Sequence, residues 1–342
     1  MLKRILLVAA GILGMSVTAA NATYSIAAYD PDTGQLGVGV QSNTPWSGAR
    51  VRYGMAGVAA IASQASSNPM MGEIGVLLIQ RGFSPEEARD MLVAMDNGAP
   101  NRQFAIVDTQ GRSAGWTGEN NSGFAGHICQ PNFCVQANTM TGPEVQNAMA
   151  IAYVQATEAG LPLIERILAA LEAAEAAGGD RRGSESGGIV IFEQRAIADY
   201  GDRAYDIRVD DSDAPVAEMR RIYNVIQANA LGGGVNQLVQ AGDYPAALAL
   251  IDQTLELNPG RDAAYVQRAS VYLAMNDIPS AIAAMATAIE MNPKVYNQTL
   301  RNDDFEVLWS NPDFQALGDY AAFAPLVPSV YGGEGMPMPP MP

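Results

Sequence analysis

The chain has 342 residues, with 36 acidic against 20 basic side chains and a net charge of −16 near neutral pH. That length accommodates two domains. The acidic balance repels phosphate backbones and anionic lipid surfaces, so nucleic acid and membrane are excluded as partners.

Lys3 and Arg4 open the chain, Ile5 to Val17 form an apolar stretch, and small residues end in Ala20-Asn21-Ala22. This is the layout of a secretory signal peptide cut after Ala22. The apolar stretch is short of the roughly 20 residues that a spanning helix needs, and no later segment reaches that length. No cysteine lies near the cut to carry a lipid anchor. Residues 1–22 are therefore expected to leave with two positive charges, taking the mature chain to −16 − 2 = −18 and placing it in the periplasm or outside the cell.

From Thr23 onward strands and helices mix. Tyr24–Tyr29 and Leu36–Gln41 read as a hairpin around the turn residues Asp30-Pro31-Asp32-Thr33-Gly34, and Gly57–Gln64 as a further strand. The spacing predicts helices over Met70–Arg81 and from Ser84-Pro85-Glu86-Glu87 to about Met95; Ser84 is the N-cap, with Pro85 in the first turn. Gln103–Asp108, Ser113–Thr117 and Val135–Asn138 read as strands, Gly142–Ala156 and Leu161–Ala177 as helices, and Ile189–Phe192 and Ala204–Val209 as closing strands. Strands gathered at both ends of a helical block suggest antiparallel sheet with packed helices, an α+β arrangement. The two cysteines, Cys129 and Cys134, flank Gln-Pro-Asn-Phe. Pro131 and Asn132 suit a turn, and an oxidising compartment favours a disulfide closing it. A metal site would need more ligands than His127 alone, so no metal is expected.

Asp210–Pro215 is a polar break, followed by a helix over about Val216–Asn229. Beyond it, Gly242-Asp243-Tyr244 matches Asn276-Asp277-Ile278, and Leu257-Asn258-Pro259 matches Met291-Asn292-Pro293, both at an offset of 34 residues. That is the tetratricopeptide period. Tyr265, Ala269, Tyr272, Ala281, Met285, Ala288 and Pro293 fit the second copy; Leu231, Val235, Leu238, Ala247, Ile251 and Pro259 fit the first less closely. Gly232-Gly233-Gly234 weakens the first helix of that first copy. Two repeats seldom stand alone, so Leu300–Leu317 is expected to cap them. The expected organisation is a signal peptide over 1–22, a first domain over 23–228, a helical repeat domain over 229–325 and a disordered tail over 326–342.

A cut after Ala22 gives the chain an N-terminal threonine. Its α-amine, with a reference pKa of roughly 7.7–8.0, is partly neutral near pH 7. It can take the proton of its own hydroxyl, directly or through one water, as the oxygen attacks a carbonyl. Other chemistries fit poorly. Gly111-Arg-Ser-Ala-Gly115 has the letters of a nucleophile elbow but sits between two strands. No phosphate-loop motif occurs, and no cofactor is expected. His127, the single histidine, reads as structural.

Several stretches carry a resemblance. They are Thr23-Tyr-Ser-Ile-Ala-Ala-Tyr-Asp30, Gly37-Val-Gly-Val-Gln-Ser42, Gly57-Val-Ala-Ala-Ile-Ala-Ser-Gln64 with Asn68-Pro69, Gln136-Ala-Asn138, Gly178-Gly-Asp-Arg-Arg-Gly183 with Ser186, and Val209-Asp-Asp211 with Pro215-Val-Ala-Glu218. In order and spacing they resemble the bacterial family called Domain of Unknown Function 1028, of the Ntn-hydrolase-like superfamily. The resemblance implies a four-layer αββα sandwich, here followed by the all-α tetratricopeptide-like domain, and hydrolysis of an amide by the N-terminal Thr23. Relatives in the superfamily tune that amine with a lysine. This chain has only Lys3 and Lys294, so another group tunes the amine or the site is not catalytic. Ser42, Asn43, Gln64, Asn68 and Asn138 are binding or oxyanion candidates, and Asp180 and Arg182 are a pair that orients substrate or amine, or simply an ion pair at a helix end. The expected function is exported hydrolysis of a small amide or peptide-like substrate. The alternative is a non-catalytic periplasmic module that holds a ligand, or a protein partner on its helical repeats. The sequence leaves the oligomeric state open.

Overall fold

A computed structural model describes residues 22–180, 182–194 and 201–323. The expected signal segment before Ala22 and the expected tail over 326–342 lie outside the described residues. The chain divides into two compact units, with the boundary between Met219 and Arg220.

The first unit runs β1 (Thr23–Tyr29), β2 (Leu36–Ser42), α1 (Ser47–Arg50), β3 (Arg52–Met55), β4 (Ala59–Ala65), α2 (Pro69–Gln80), α3 (Pro85–Met95), β5 (Arg102–Asp108), β6 (Ser113–Thr117), β7 (Phe124–Gln130), β8 (Phe133–Met140), α4 (Glu144–Glu158), α5 (Leu163–Ala176), β9 (Ser186–Phe192) and β10 (Arg203–Val209). The strands form two antiparallel sheets, ordered β10-β9-β2-β1-β8-β7 and β3-β4-β5-β6. Helices α4 and α5 pack on the larger sheet, α2 and α3 on the smaller, and the sheets face each other. This is the four-layer αββα sandwich.

Strand alternation sorts β1 between the layers. Tyr24 points to the helices, where its hydroxyl donates to Glu175 of α5 at 2.7 Å. Burial first, then the Glu175 carboxylate, hold its pKa well above the usual tyrosine value. Ala27 points the other way, into an apolar core shared with Val38, Val40, Ala60, Ala105 and Val107. On β2, a methyl group at Gly37 or Gly39 would collide with Ile167 of α5, so these two glycines set how closely the helical layer lies. On the outer side of the smaller sheet, Ile61, Phe104 and Ile106 bury against Met71, Val76, Ala88 and Leu92. The capping box at Ser84 and Glu87 forms, with Pro85 in the first turn.

Two strands escaped the sequence reading. β3 is a four-residue edge strand, and β7 carries Gly126 and His127 on a half-exposed edge, so neither shows a clean alternation. The cysteine segment is consequently a hairpin turn: Cys129 on β7 faces Cys134 on β8 and the two form a disulfide. The bond closes a six-residue loop, for which chain entropy gives about 2 kcal/mol. Replacing both cysteines by serine is expected to lower the opening free energy of the β7–β8 hairpin by about that amount in amide exchange. A change under about 0.5 kcal/mol would show that the disulfide leaves the unfolded chain no more constrained.

Helix α6 (Pro215–Gln240) carries the chain across the boundary; α7 (Tyr244–Leu257), α8 (Asp262–Ala274), α9 (Ile278–Met291), α10 (Lys294–Thr299), α11 (Glu306–Trp309) and α12 (Pro312–Phe323) follow. The 34-residue repeat is structural. Asp243 caps α7 by accepting from the amide of Ala246, and Asp277 caps α9 by accepting from that of Ser280. Val235, Ala247 and Ile251 share the core of the first copy, and Ala269, Ala281, Met285 and Ala288 that of the second. Phe314 and Leu317 of the expected capping segment close the second core. One expectation changes: the helix placed over 216–229 does not end there but runs unbroken through Gly232-Gly233-Gly234. The reason is packing. Glycine at 232 leaves its carbonyl open to the Gln267 side-chain amide at 2.8 Å, and glycine at 234 makes room for Leu250. No described helix is long and apolar enough to cross a membrane.

Candidate functional site

The inter-sheet layer changes character along β1. Around Ala27 it is apolar; toward Thr23 it becomes a network of buried hydroxyls and amides. Ser25 Oγ donates to Gln64 Oε1 at 2.6 Å, and Gln64 Nε2 lies 3.1 Å from the Thr23 carbonyl oxygen and 2.7 Å from Gln103 Oε1. Asn138 Nδ2 also donates to Gln103 Oε1 at 3.0 Å, while Gln103 Nε2 reaches Ala137 O at 2.9 Å and Thr117 Oγ1 at 3.0 Å. Gln136 Nε2 bridges Ser25 Oγ and Ala62 O. Burying this many amides is costly unless each is paired, and the pairing here ties β1 and β8 of one sheet to β4 and β5 of the other.

Thr23 is where this network meets the surface of the sandwich. In register it lies between Ser42 on β2 and Asn138 on β8, and only 3% of it is exposed. Its hydroxyl is 2.9 Å from Ser42 Oγ. Ser42 Oγ in turn donates to the carbonyl oxygen of Ala22 at 2.8 Å and lies 3.0 Å from Thr44 Oγ1. With its single proton given to Ala22, Ser42 accepts from both threonine hydroxyls. Arg50 Nη2 completes the chain, donating to Thr44 Oγ1 and to the Pro45 carbonyl, each at 3.4 Å. Thr23, Ser42, Thr44, Ser47, Arg50 and Gln64 line a cavity of about 30 Å³ that also reaches Ala65 and Ser67.

The backbone around this cavity is strained. Among the described residues five non-glycine residues have positive φ; two are asparagines, which tolerate it. The other three are Trp46 (φ 48°), Ala65 (φ 67°) and Thr139 (φ 62°). Ala65 lines the cavity, Trp46 lies between its lining residues Thr44 and Ser47, and Thr139 follows Asn138. Such conformations cost about 1–3 kcal/mol each and gather where a site needs them. Ser186 helps hold the segment: its hydroxyl donates to the Thr44 carbonyl, accepts from the Ser47 amide at 2.9 Å and lies 2.7 Å from Ser47 Oγ.

The structure thus places Thr23, Ser42 and Gln64 in the cavity wall and Asn138 beside Thr23 in register, paired to Gln103, and leaves the other sequence candidates outside the cavity. Asn68 caps α2, accepting from the Met70 amide at 3.1 Å. Asn43 donates to the Arg182 carbonyl at 3.3 Å. Asp180 and Arg182 form a local ion pair in which Asp180 also accepts from the Arg182 amide, the arrangement of a turn. His127 holds Thr117 Oγ1 at 2.9 Å; burial first, and the Arg89 charge second, lower its pKa, so it stays neutral at pH 7. Thr44, Ser47 and Arg50 were missed because a lone hydroxyl or arginine in a loop or a single helical turn carries no spacing signal. Among the described residues no group of three or more His, Cys, Asp or Glu has the arrangement to hold a metal ion. A larger cavity, about 220 Å³, lies at the far end of β1 beside the buried Asp30–Arg166 pair.

The model of a family of unknown function, DUF1028, matches residues 23–219, and a tetratricopeptide repeat model matches residues 238–301. A crystal structure of a DUF1028 protein from Silicibacter pomeroyi superposes with a TM-score of 0.54 at 28% sequence identity, covering 59% of this chain and 88% of that one. No curated protein matches the chain. With more than half its length matched by that family model from Thr23 onward, the chain belongs to the DUF1028 family.

Proposed function

We propose that the first unit is an exported amidohydrolase, with Thr23 as nucleophile once the Ala22–Thr23 bond has been cut. One observation carries this reading. The Thr23 hydroxyl is held against Ser42 Oγ, and Ser42 already donates to the carbonyl oxygen of the acyl group joined to Thr23, that of Ala22. A substrate acyl group seated where Ala22 lies would present its carbonyl to the same donor. Ala22 is fully buried, so its removal also enlarges the small cavity beside Thr23.

The steps follow from ordinary acyl transfer. The free α-amine takes the hydroxyl proton, directly or through one water, for which a cavity of about 30 Å³ has room. Oγ1 adds to the substrate carbonyl, and Ser42 donates to the oxyanion. The tetrahedral intermediate expels the amine, which takes the proton, and leaves an ester on Thr23. Water then adds to the ester, and the carboxylic acid departs as the proton returns to Thr23. Burial stands in for the missing lysine. An ammonium desolvated at this position loses its proton more readily, which leaves the amine neutral and basic near pH 7.

The rival reading is retention of a ligand without turnover; the lack of any lysine between Thr23 and Pro293 favours it. For the second unit we propose a protein partner, since stacked repeats present an extended binding surface. Turnover of N-acetylated amino acids and short peptides separates the readings. Hydrolysis retained in Thr23→Ser and lost in Thr23→Ala supports the nucleophile; binding without any hydrolysis supports the rival.

A further inference from the structure

Arg50 stands out in a chain with nearly twice as many acids as bases. None of the described ion pairs involves it. It is exposed, with Nη2 at 3.4 Å from both Thr44 Oγ1 and the Pro45 carbonyl oxygen, and the Trp46 ring lies 5.1 Å from its central carbon. Trp46 is itself 53% exposed, in a left-handed conformation that a bulky side chain adopts only under constraint. Ala65, which lines the cavity, has a left-handed backbone as well.

We infer that Arg50 and Trp46 select the substrate: the site takes amides that carry a free carboxylate close to the scissile bond and a flat apolar side chain. N-acyl aromatic amino acids are the simplest members of that class. The inference deepens the amidohydrolase reading and names the substrate of that same site. Among the described residues Arg50 is the only charged side chain lining the cavity, and the rest of that lining consists of hydroxyls, one amide and small apolar groups. A carboxylate arriving there meets donors and no competing anion. A guanidinium planar and already oriented loses little freedom on binding it. The exposed indole offers a face on which an aromatic side chain stacks.

The test uses the exported full-length protein carrying Thr23→Ala, so that binding is read without chemistry. The probes are N-acetyl-L-phenylalanine and its uncharged analogue N-acetyl-L-phenylalaninamide, titrated by calorimetry. The acid is expected to bind at least about tenfold tighter than the amide, the size of one charge-assisted contact. Arg50→Gln should reduce that preference to within about twofold, and Arg50→Lys should keep part of it. Equal binding of the two probes, binding of neither at millimolar concentration, or a preference that survives Arg50→Gln overturns the inference. The hydrolase reading fails separately: protein with Thr23 intact that binds the acid preferentially but never cleaves it removes turnover and leaves the selectivity standing. Cleavage of acid and amide at equal rates removes the selectivity alone.

Discussion

If the proposed hydrolysis occurs, Thr23→Ala is expected to lower amide turnover by at least about 10³-fold while the first unit stays folded, an effect on the order of 4 kcal/mol on the reaction barrier. The size follows from what the hydroxyl does. No neighbouring hydroxyl can replace it. Ser42 and Thr44 are close, but neither carries an adjacent amine to take its proton, and in the proposed step Ser42 serves as the donor to the oxyanion. The structural loss is small by comparison. The Thr23 side chain contributes one hydrogen bond to Ser42, worth about 1 kcal/mol, and Ser42 keeps its contact with Thr44. The register of β1 between β2 and β8 rests on backbone bonds that the substitution leaves in place. Thr23→Ser retains the hydroxyl and should stay within about tenfold of the parent. Steady-state rates with circular dichroism on the same samples decide the matter. A folded Thr23→Ala protein with undiminished turnover removes Thr23 from the chemistry.

The largest expected loss of stability comes from Gln103→Leu. Gln103 is fully buried and joins both sheets: its carbonyl oxygen accepts from Gln64 and Asn138, and its amide nitrogen reaches Ala137 O and Thr117 Oγ1. Leucine fills much of the volume but satisfies none of these groups. Asn138 Nδ2 loses the acceptor it has here. Gln64 keeps the Thr23 carbonyl as its only remaining acceptor. At about 1–3 kcal/mol for each buried group left unpaired, the substitution should cost roughly 3–5 kcal/mol. Because the chain has two units, global unfolding mixes their stabilities, and amide exchange in β4 and β5 is the sharper measurement. Protection in those strands should fall by that amount, while protection in α7 to α9 stays unchanged. A loss below about 1 kcal/mol would mean that the amide network is spectator rather than frame. Turnover should fall with it, since Gln64 holds the Thr23 carbonyl.

Much of the fold was legible because the local signals agreed with the tertiary result. The turn at Asp30–Gly34, the capping box at Ser84 and the 34-residue spacing of Asp243 and Asp277 are each set by local chemistry that survives in the structure. Edge strands were harder. β7 and β3 bury little on either face, so the alternation that marks a strand is faint there. The glycine run in α6 misled for a different reason: helix propensity counts a glycine as a loss, whereas here the helix continues through it with Leu250 packed close to Gly234.

The site was legible in part. Thr23 and Ser42 sit at strand ends and Asn138 near one, and register brings these three together, whereas Gln64 reaches Thr23 from the facing sheet. Asn68 and Asp180 have chemistry equally suited to caps and turns, and the structure uses them that way. Glutamines at 64, 103 and 136 inside otherwise apolar strands were a readable signal for a buried polar layer, because a strand has no local use for them. Arg50 was not legible, because only the fold brings it into the same cavity wall as a threonine 27 positions earlier in the chain.

The amidohydrolase account stands on a free amine at Thr23, and the intact mass of the exported protein with its N-terminal sequence tests that most directly. The account predicts a single species beginning at Thr23. A chain beginning at Asn21, or one that keeps the segment before it, leaves Thr23 without its own base and contradicts the account.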